Sequence, residues 1–162
     1  MKQNNSLFMT QAAMIAAVYV VLTMIGASIG FGPVQIRFAE ALTILPFFTS
    51  AAVPGLFVGC LIGNILSGAI IPDIIFGSLA TLIGACGTWL MRNHPILATL
   101  PPIAANTVII PFVLKYGYCD PLPIPFMMLT VGIGEVISCG VLGYGLQKIL
   151  KNYRGIIFKG TV

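Results

Sequence analysis

The stretch VQIRFAEALTILPFFTSAAVPGLFVGCLIGN, residues 34 to 64, decides how the rest of the chain is interpreted. It begins with three polar side chains, those of Gln35, Arg37 and Glu40, and continues as an almost uninterrupted apolar sequence. Charged side chains are costly inside a bilayer, where they usually serve binding or transport. We therefore interpret Gln35, Arg37 and Glu40 as candidate residues of a binding site at the edge of a short hydrophobic helix.

The composition is typical of a protein that crosses a membrane several times. Of the 162 residues, 58% are hydrophobic and 7% are charged, whereas a soluble domain carries about 25% charged residues. The mean hydropathy is +1.03, and apolar stretches long enough to cross a bilayer recur along the chain. Because no linker or run of charges divides it, we predict a single transmembrane domain, residues 1 to 162, of the all-α class.

The hydrophobic pattern predicts a bundle of six transmembrane helices. An even number of crossings places both termini on the same side, together with basic residues such as Arg92, Lys148, Lys151 and Arg154. Cytoplasmic loops are enriched in lysine and arginine, so we predict that both termini lie in the cytoplasm of a bacterial cell. The predicted helices cover residues 8–28, 38–49, 53–70, 73–91, 96–116 and 124–150.

Four further polar side chains fall within or at the ends of these helices, namely Asn64, Asp73, Asn106 and Glu135. A buried amide or carboxylate needs a hydrogen-bond partner or a polar cavity. Glu135 is the strongest candidate for a functional residue, since it lies about 15 Å below the outer end of its helix, near the bilayer centre. The alternatives are a structural ion pair between Glu135 and Arg37, and a helix-capping role for Asp73.

Small residues repeat at four-residue spacing along the first helix, as the pairs Ala12 and Ala16, and Ala13 and Ala17. Small side chains allow another helix to approach closely inside a membrane. The spacing fits either packing within the same molecule or a docking surface for a partner protein.

Several function classes find no support in the sequence. There is no pairing of a nucleophile with a base, no phosphate-binding loop and no metal-binding motif, so we predict neither an enzyme nor a cofactor. The four cysteines form no CxxC pair. The basic residues cluster at helix ends, as membrane topology requires, and do not indicate nucleic-acid binding. A proton-coupled carrier would be expected to show an inverted repeat, and none is evident.

Four segments, VQIRFAEALTILPFF, AVPGLFVGCLIGN, DIIFGSLATLIGA and VGIGEVISCGVLG, carry a resemblance to a known family. Together they resemble the queuosine-precursor transporter (QueT) family, the substrate-binding S components of energy-coupling-factor (ECF) transporters. The resemblance covers nearly the whole chain, and its R-x-x-E-A-L-T block starts at Arg37. It implies a six-helix S component that captures a micronutrient outside the cell and docks on a T component driven by two cytosolic ATPases.

The resemblance also implies a docking surface, a lid and a ligand for this chain. The alanine face of the first helix (Ala12, Ala13, Ala16 and Ala17) resembles the surface that docks on the T component. The loop between the first two helices would be a lid over the ligand, and the ligand would be a 7-deazaguanine: the aminomethyl form, the cyano form or queuine. Two alternatives stay open, an S component for another vitamin and a stand-alone carrier.

A 7-deazaguanine presents the N1–H and 2-amino donors of a guanine, and a carboxylate can accept both in parallel. We assign that role to Glu135, with Asn64 or Asn106 completing the contact. Glu40 or Asp73 is expected to stabilise the ammonium of the aminomethyl form. Phe38 is a candidate for stacking on the ring.

Overall fold

Every regular element that the structure describes is helical. The structure is a computed structural model, and it describes residues 5–27 and 37–157. A 3₁₀ helix, Phe38–Phe47, lies between the first two α-helices, and a short one, Leu97–Thr99, precedes the fourth. A π-helical segment, Val136–Gly143, joins the last two. The α-helices are α1 Asn5–Ala27, α2 Ala52–Leu66, α3 Ile71–Leu90, α4 Leu100–Gly117, α5 Ile124–Glu135 and α6 Tyr144–Ile157.

Four helical segments within the described residues are long and apolar enough to cross a bilayer. They are Asn5–Gly26, Ile71–Leu90, Leu97–Gly117 and the continuous rod Ile124–Gly155. The other two predicted crossings are shorter apolar helices, Phe38–Phe47 and Ala52–Leu66. At 1.5 Å per residue, the fifteen residues of α2 span about 22 Å, less than the ~30 Å of hydrocarbon. The structure therefore supports a multi-pass membrane protein with four full-length spans.

The second predicted helix is 3₁₀ rather than α-helical, and it ends at Phe47 instead of residue 49. One of its carbonyl groups accepts hydrogen bonds from two side chains. The Glu40 carbonyl oxygen accepts hydrogen bonds from Thr43 Oγ1 at 2.6 Å and from Cys139 Sγ at 3.4 Å. Pro46 has no N–H to donate to the preceding turn. A 3₁₀ helix rises about 2 Å per residue, so this segment covers more depth with fewer residues than an α-helix would.

The glycines of α2 allow it to lie directly against α1. A Cβ atom added at Gly55 would meet the Ala12 carbonyl oxygen at 2.7 Å, and one at Gly59 would meet the Tyr19 Cβ at 2.8 Å. Gly63 similarly faces Thr23. These three glycines therefore serve close packing of α2 against α1. The close approach continues up to the ends of both helices and brings their polar residues together.

Both ends of the described chain lie at the same end of the bundle. The Gln11 side chain, near the start of α1, donates a hydrogen bond to the carbonyl oxygen of Ile157, at the end of α6. The opposite end of the bundle contains the ends of α1, α2 and α4 and the start of α3, which together surround a cavity. The hydrophobic core lies between these two ends and centres on Tyr19, Phe48 and Leu56.

Candidate functional site

A cavity of about 540 Å³ opens between the ends of α1, α2 and α4, the start of α3 and the start of the 3₁₀ helix. We refer to it as the candidate cavity. Its charged lining residues are Arg37, Asp73 and Asp120. Apolar and aromatic side chains complete the wall, with Phe38 and Leu22 on one side and Leu114 on another. The uncharged polar lining side chains are those of Tyr19, Thr23, Asn64, Ser67 and Tyr118.

The turn between α2 and α3 places Asn64 and Asp73 next to each other. Helix α2 ends in a turn at Gly68, whose φ of +75° is a conformation that glycine adopts without strain. Pro72 lies in the first turn of α3, where a missing N–H is tolerated. Asp73 follows directly, and its negative charge is favourable at the start of a helix. The Asn64 amide then donates to the Asp73 main-chain oxygen at 3.3 Å.

The two carboxylate oxygens of Asp73 differ in their surroundings. Oδ2 accepts a hydrogen bond from the Tyr118 hydroxyl at 2.9 Å. Oδ1 is buried and has no hydrogen-bond partner among the residues that the structure describes. Burial raises the pKa of Tyr118, and the nearby Asp73 carboxylate raises it further, so the phenol stays protonated and continues to donate. Asp73, which is 7% exposed, therefore directs one free acceptor oxygen at its surroundings.

Arg37 supplies the positive charge of the candidate cavity. It directly precedes the 3₁₀ helix, its side chain is half-buried, and the acids that act on it most strongly are Asp73 and then Glu40. An arginine that remains charged in such a setting offers several N–H donors to a carbonyl or an aromatic edge of a ligand. The cavity therefore has a donor group and an acceptor group within reach of a small polar molecule.

Beneath the candidate cavity lies a set of buried polar side chains that we call the buried polar layer: Glu40, Asn106, Glu135 and Cys139. Tyr19 connects this layer to the cavity wall, because its hydroxyl donates to Glu40 Oε1 at 2.5 Å. The Asn106 amide donates to Glu40 Oε2 at 3.4 Å and also interacts with Glu135. Both oxygens of Glu40 are thus occupied by donors from the protein itself.

Glu135 lies at the point where α5 changes into the π-helical segment. Cys139 Sγ, one turn later, donates to Glu135 Oε2 at 3.2 Å. A π-helical turn often occurs at functional sites, and here it lets Cys139 contact both Glu135 and the Glu40 main chain. As the sequence indicated, Glu135 faces polar partners, but it is 4% exposed and does not line the cavity.

Among the described residues, the side chains that could hold a metal ion are those of Glu40, Glu135 and Cys139. One potential ligand atom from each lies within 4.8 Å of the others. The sequence carried no motif for this arrangement, because the residues come from two helices far apart in the chain. Since Tyr19, Asn106 and Cys139 already donate hydrogen bonds to the two carboxylates, we interpret the cluster as a hydrogen-bond network.

The structure divides the predicted site residues into two levels. Arg37, Phe38, Asn64 and Asp73 line the candidate cavity. Glu40, Asn106 and Glu135 belong to the buried polar layer, and Gln35 falls outside the described residues. The predicted lid, the loop between the first two predicted helices, also falls largely outside them.

Sequence reasoning missed five polar lining residues: Tyr19, Thr23, Ser67, Tyr118 and Asp120. Tyr19 and Thr23 continue the Ala12 and Ala16 face at helical spacing, so extending that face towards the end of α1 would have found them. Tyr118 and Asp120 belong to the turn-rich segment after α4, whose fold is not evident from spacing.

The four alanines of α1 also separate into two groups. Ala12 and Ala16 pack against Gly55 and Gly59 of α2, which is the intramolecular alternative considered above. Ala13 and Ala17 are exposed on the other side of the helix. Of the four alanines, Ala13 and Ala17 are thus the two that remain on an exposed surface of α1.

A second cavity, of about 480 Å³, lies on the surface of α3 and α4, and its lining is less polar than that of the candidate cavity. Its lining is apolar and includes Phe76, Phe112 and Tyr116. Phe112 and Tyr116 stack with their ring centroids 6.5 Å apart. Because it presents no charged side chain and faces outward, it fits the lipid-facing surface of the protein.

Comparisons with known proteins agree with the helical and apolar character of the chain. The model of a family described as QueT transporter matches residues 9–152. A relative described as queuosine precursor transporter QueT, from Lactococcus lactis subsp. cremoris (strain MG1363), is 36% identical over 85 residues. That alignment covers 51% of this chain and 50% of the relative, so the match spans about half the length of each. No solved structure matches the chain.

Proposed function

Because the chain belongs to the QueT transporter family, we propose that it is the substrate-binding S component of an ECF-type importer. In this proposal it captures a queuosine precursor, a 7-deazaguanine in its aminomethyl, cyano or queuine form, outside the cell. A T component and two cytosolic ATPases then drive uptake. The chain itself carries out no chemical reaction.

The observation that carries the proposal is the candidate cavity. Its volume of about 540 Å³ falls in the range of about 300–1,000 Å³ that is usual for small-molecule sites. A mainly apolar wall with a few convergent polar groups is the usual form of a site for a flat heterocycle. The cavity lies at the end of the bundle opposite Arg92 and the basic residues of α6, which fits capture from outside and cytoplasmic termini.

The cavity offers partners for each edge of a 7-deazaguanine. Arg37 can donate to the ring carbonyl, and Phe38 or Tyr19 can stack on the ring. Ser67 and Thr23 already donate their hydroxyl hydrogens to main-chain oxygens, so their oxygens remain acceptors for the N1–H and 2-amino donors. In this arrangement Glu40, Asn106 and Glu135 hold Tyr19 in place and do not touch the ligand.

Docking on the T component is assigned to the exposed pair Ala13 and Ala17. Their small side chains would allow a helix of the partner to approach α1 closely. Ala12 and Ala16, which the resemblance also assigned to docking, are engaged with α2 in the isolated chain. In this proposal Ala12 and Ala16 do not contact the T component, and their packing against α2 holds α1 in position.

The proposed function is tested by reconstitution in liposomes. We expect the purified chain to bind 7-aminomethyl- or 7-cyano-7-deazaguanine, and to mediate uptake only when a T component, both ATPases and internal ATP are present. Uptake by the chain alone would support a stand-alone carrier. Binding of another vitamin without binding of any 7-deazaguanine would support an S component of different specificity.

A further inference from the structure

We propose that Asp73 determines the specificity of the candidate cavity, with its Oδ1 atom accepting a hydrogen bond from a primary ammonium group of the ligand. The site would then select an aminomethyl-bearing precursor over neutral forms. This inference rests on the proposed function, because it names the chemical form that the same cavity prefers.

The first argument is the unused acceptor. Within residues 5–27 and 37–157, Asp73 Oδ1 has no hydrogen-bond partner, and the residue is only 7% exposed. A buried carboxylate oxygen without a hydrogen bond costs folding free energy. In a native protein such an atom calls for an explanation, and one explanation is a ligand or ion that bonds to it. The residue lines the cavity, and its Oδ1 atom, which has almost no accessible surface in the unliganded chain, would meet a donor from the cavity after a small rotation of the carboxylate.

The second argument is the number of oxygens available. A guanine edge presents two parallel donors and suits a carboxylate with both oxygens free. Asp73 Oδ2 is already bonded to the Tyr118 hydroxyl at 2.9 Å. An ammonium group needs only a single acceptor at this point and gains a charge-assisted hydrogen bond from it. The geometry therefore fits an ammonium better than the ring edge.

The third argument is the charge of the lining. The cavity wall contains two carboxylates, those of Asp73 and Asp120, and one guanidinium, that of Arg37. Lys115 lies outside the lining, where it binds the main-chain oxygens of residues 120 to 122. A ligand with one positive charge balances the formal charges of the wall, whereas a neutral ligand leaves one carboxylate uncompensated.

The fourth argument is that Asp73 is held in place. Tyr118 holds one carboxylate oxygen, and the Asn64 amide binds the Asp73 main-chain oxygen at 3.3 Å. Gly77, one turn further along α3, has no side chain, and this makes room for the side chains of Asn64 and Asp73. A Cβ atom there would lie 3.1 Å from Asn64 Nδ2 and 3.1 Å from Asp73 Oδ1. A fixed acceptor loses little entropy on binding, which favours selectivity.

The test is a calorimetric titration of the full chain in detergent with three ligands. These are 7-aminomethyl-7-deazaguanine, 7-cyano-7-deazaguanine and 7-ethyl-7-deazaguanine, which has the shape of the aminomethyl form without its charge. We expect the wild-type chain to bind the aminomethyl form about tenfold to a hundredfold more tightly than the ethyl form, as for a charge-assisted hydrogen bond. Asp73→Asn should remove most of that preference while leaving the affinity for the ethyl form within about threefold.

Asp120→Asn is the matched control, because it removes the same charge from the same wall. The Asp120 Oδ1 atom accepts from the Leu122 N–H at 2.9 Å and so is already satisfied by the protein. We expect this variant to lower the preference for the aminomethyl form less than Asp73→Asn does, because it changes the charge of the wall without removing the direct contact. If both variants reduce it equally, the general field of the cavity and not the Asp73 contact sets selectivity, and the inference is overturned.

The remaining outcomes separate this inference from the proposed function. Equal loss of all three ligands in Asp73→Asn would mean that Asp73 acts on the shared ring or through Arg37, which overturns the inference alone. Equal affinity of the wild-type chain for the aminomethyl and ethyl forms would also overturn the inference alone. This outcome is measured on the wild-type chain, so it does not depend on whether a variant folds. A wild-type chain that binds none of the three overturns the proposed function as well.

Discussion

Tyr19 and Glu40 are joined by a hydrogen bond of 2.5 Å between the phenol and the Oε1 atom, across the boundary between the candidate cavity and the buried polar layer. Tyr19 is 2% exposed and Glu40 is fully buried. The bond fixes the position of an aromatic side chain in the cavity wall. It also gives the carboxyl group of Glu40 a partner inside the membrane-embedded bundle.

Tyr19→Phe should destabilise the protein, because Glu40 Oε1 would lose its donor while remaining buried. The expected cost is about 1–3 kcal/mol of unfolding free energy, seen as a lower midpoint of thermal unfolding in detergent. Tyr144→Phe is the control, since Tyr144 is 43% exposed. Equal midpoints for the two variants would show that the Tyr19–Glu40 bond contributes little to stability.

Gly77→Ala should weaken ligand binding without preventing folding. The added methyl group would lie 3.1 Å from both Asn64 Nδ2 and Asp73 Oδ1, so both side chains have to move. We expect a loss of about 1–3 kcal/mol in binding free energy, as for other overpacked sites. In Gly145→Ala the new methyl group meets nothing within 4 Å, so that variant should bind normally. Unchanged affinity in Gly77→Ala would place the ligand away from Asp73.

Tryptophan substitutions on α1 should separate docking from folding. Ala13→Trp adds bulk to an exposed position and should abolish ATP-driven uptake while ligand binding to the isolated chain remains. Ala16→Trp places an indole between α1 and α2, where the Ala16 backbone faces Gly59. It should lower the thermal stability and reduce binding as well. Normal uptake with Ala13→Trp would move the docking surface to another part of the bundle.

Glu135→Gln should leave ligand affinity nearly unchanged, within about threefold, because Glu135 lies in the buried polar layer and not in the cavity wall. Glutamine keeps an acceptor for the Cys139 thiol, which now bonds to Oε2 at 3.2 Å. The measurement is the same titration with 7-aminomethyl-7-deazaguanine. A loss of tenfold or more (roughly 1.4 kcal/mol) would restore Glu135 as a direct ligand contact.

Cysteine labelling should establish which side of the membrane the cavity faces. Cys119 is a natural reporter, since it is exposed and belongs to the loop beside the cavity. A membrane-impermeant maleimide should label it in intact cells, and Cys119→Ser should remove that signal. In the Cys119→Ser background, Lys151→Cys should react only after the membrane is permeabilised. Labelling of both sites from the same side would contradict the proposed orientation.

Much of the helical framework follows from local sequence. The predicted helices 53–70, 73–91 and 96–116 differ from α2, α3 and the span Leu97–Gly117 by a few residues at each end. Hydropathy, proline and glycine act locally, so their effects on helix position are visible in sequence. The 3₁₀ form of Phe38–Phe47 is not visible in the sequence, and neither is the contact of its Glu40 carbonyl with Cys139, 99 positions away.

The sequence by itself determined which polar residues this apolar chain carries, how deep they lie and that they need partners. It also determined the glycine and alanine spacings along which α1 and α2 pack. Only the tertiary structure decided where each polar side chain lies: Asp73 in the cavity wall, Glu135 in the layer beneath it. The depth of a side chain depends on the number of residues along its helix. The neighbours that it faces depend on how that helix is rotated, and packing between residues distant in the chain sets this rotation.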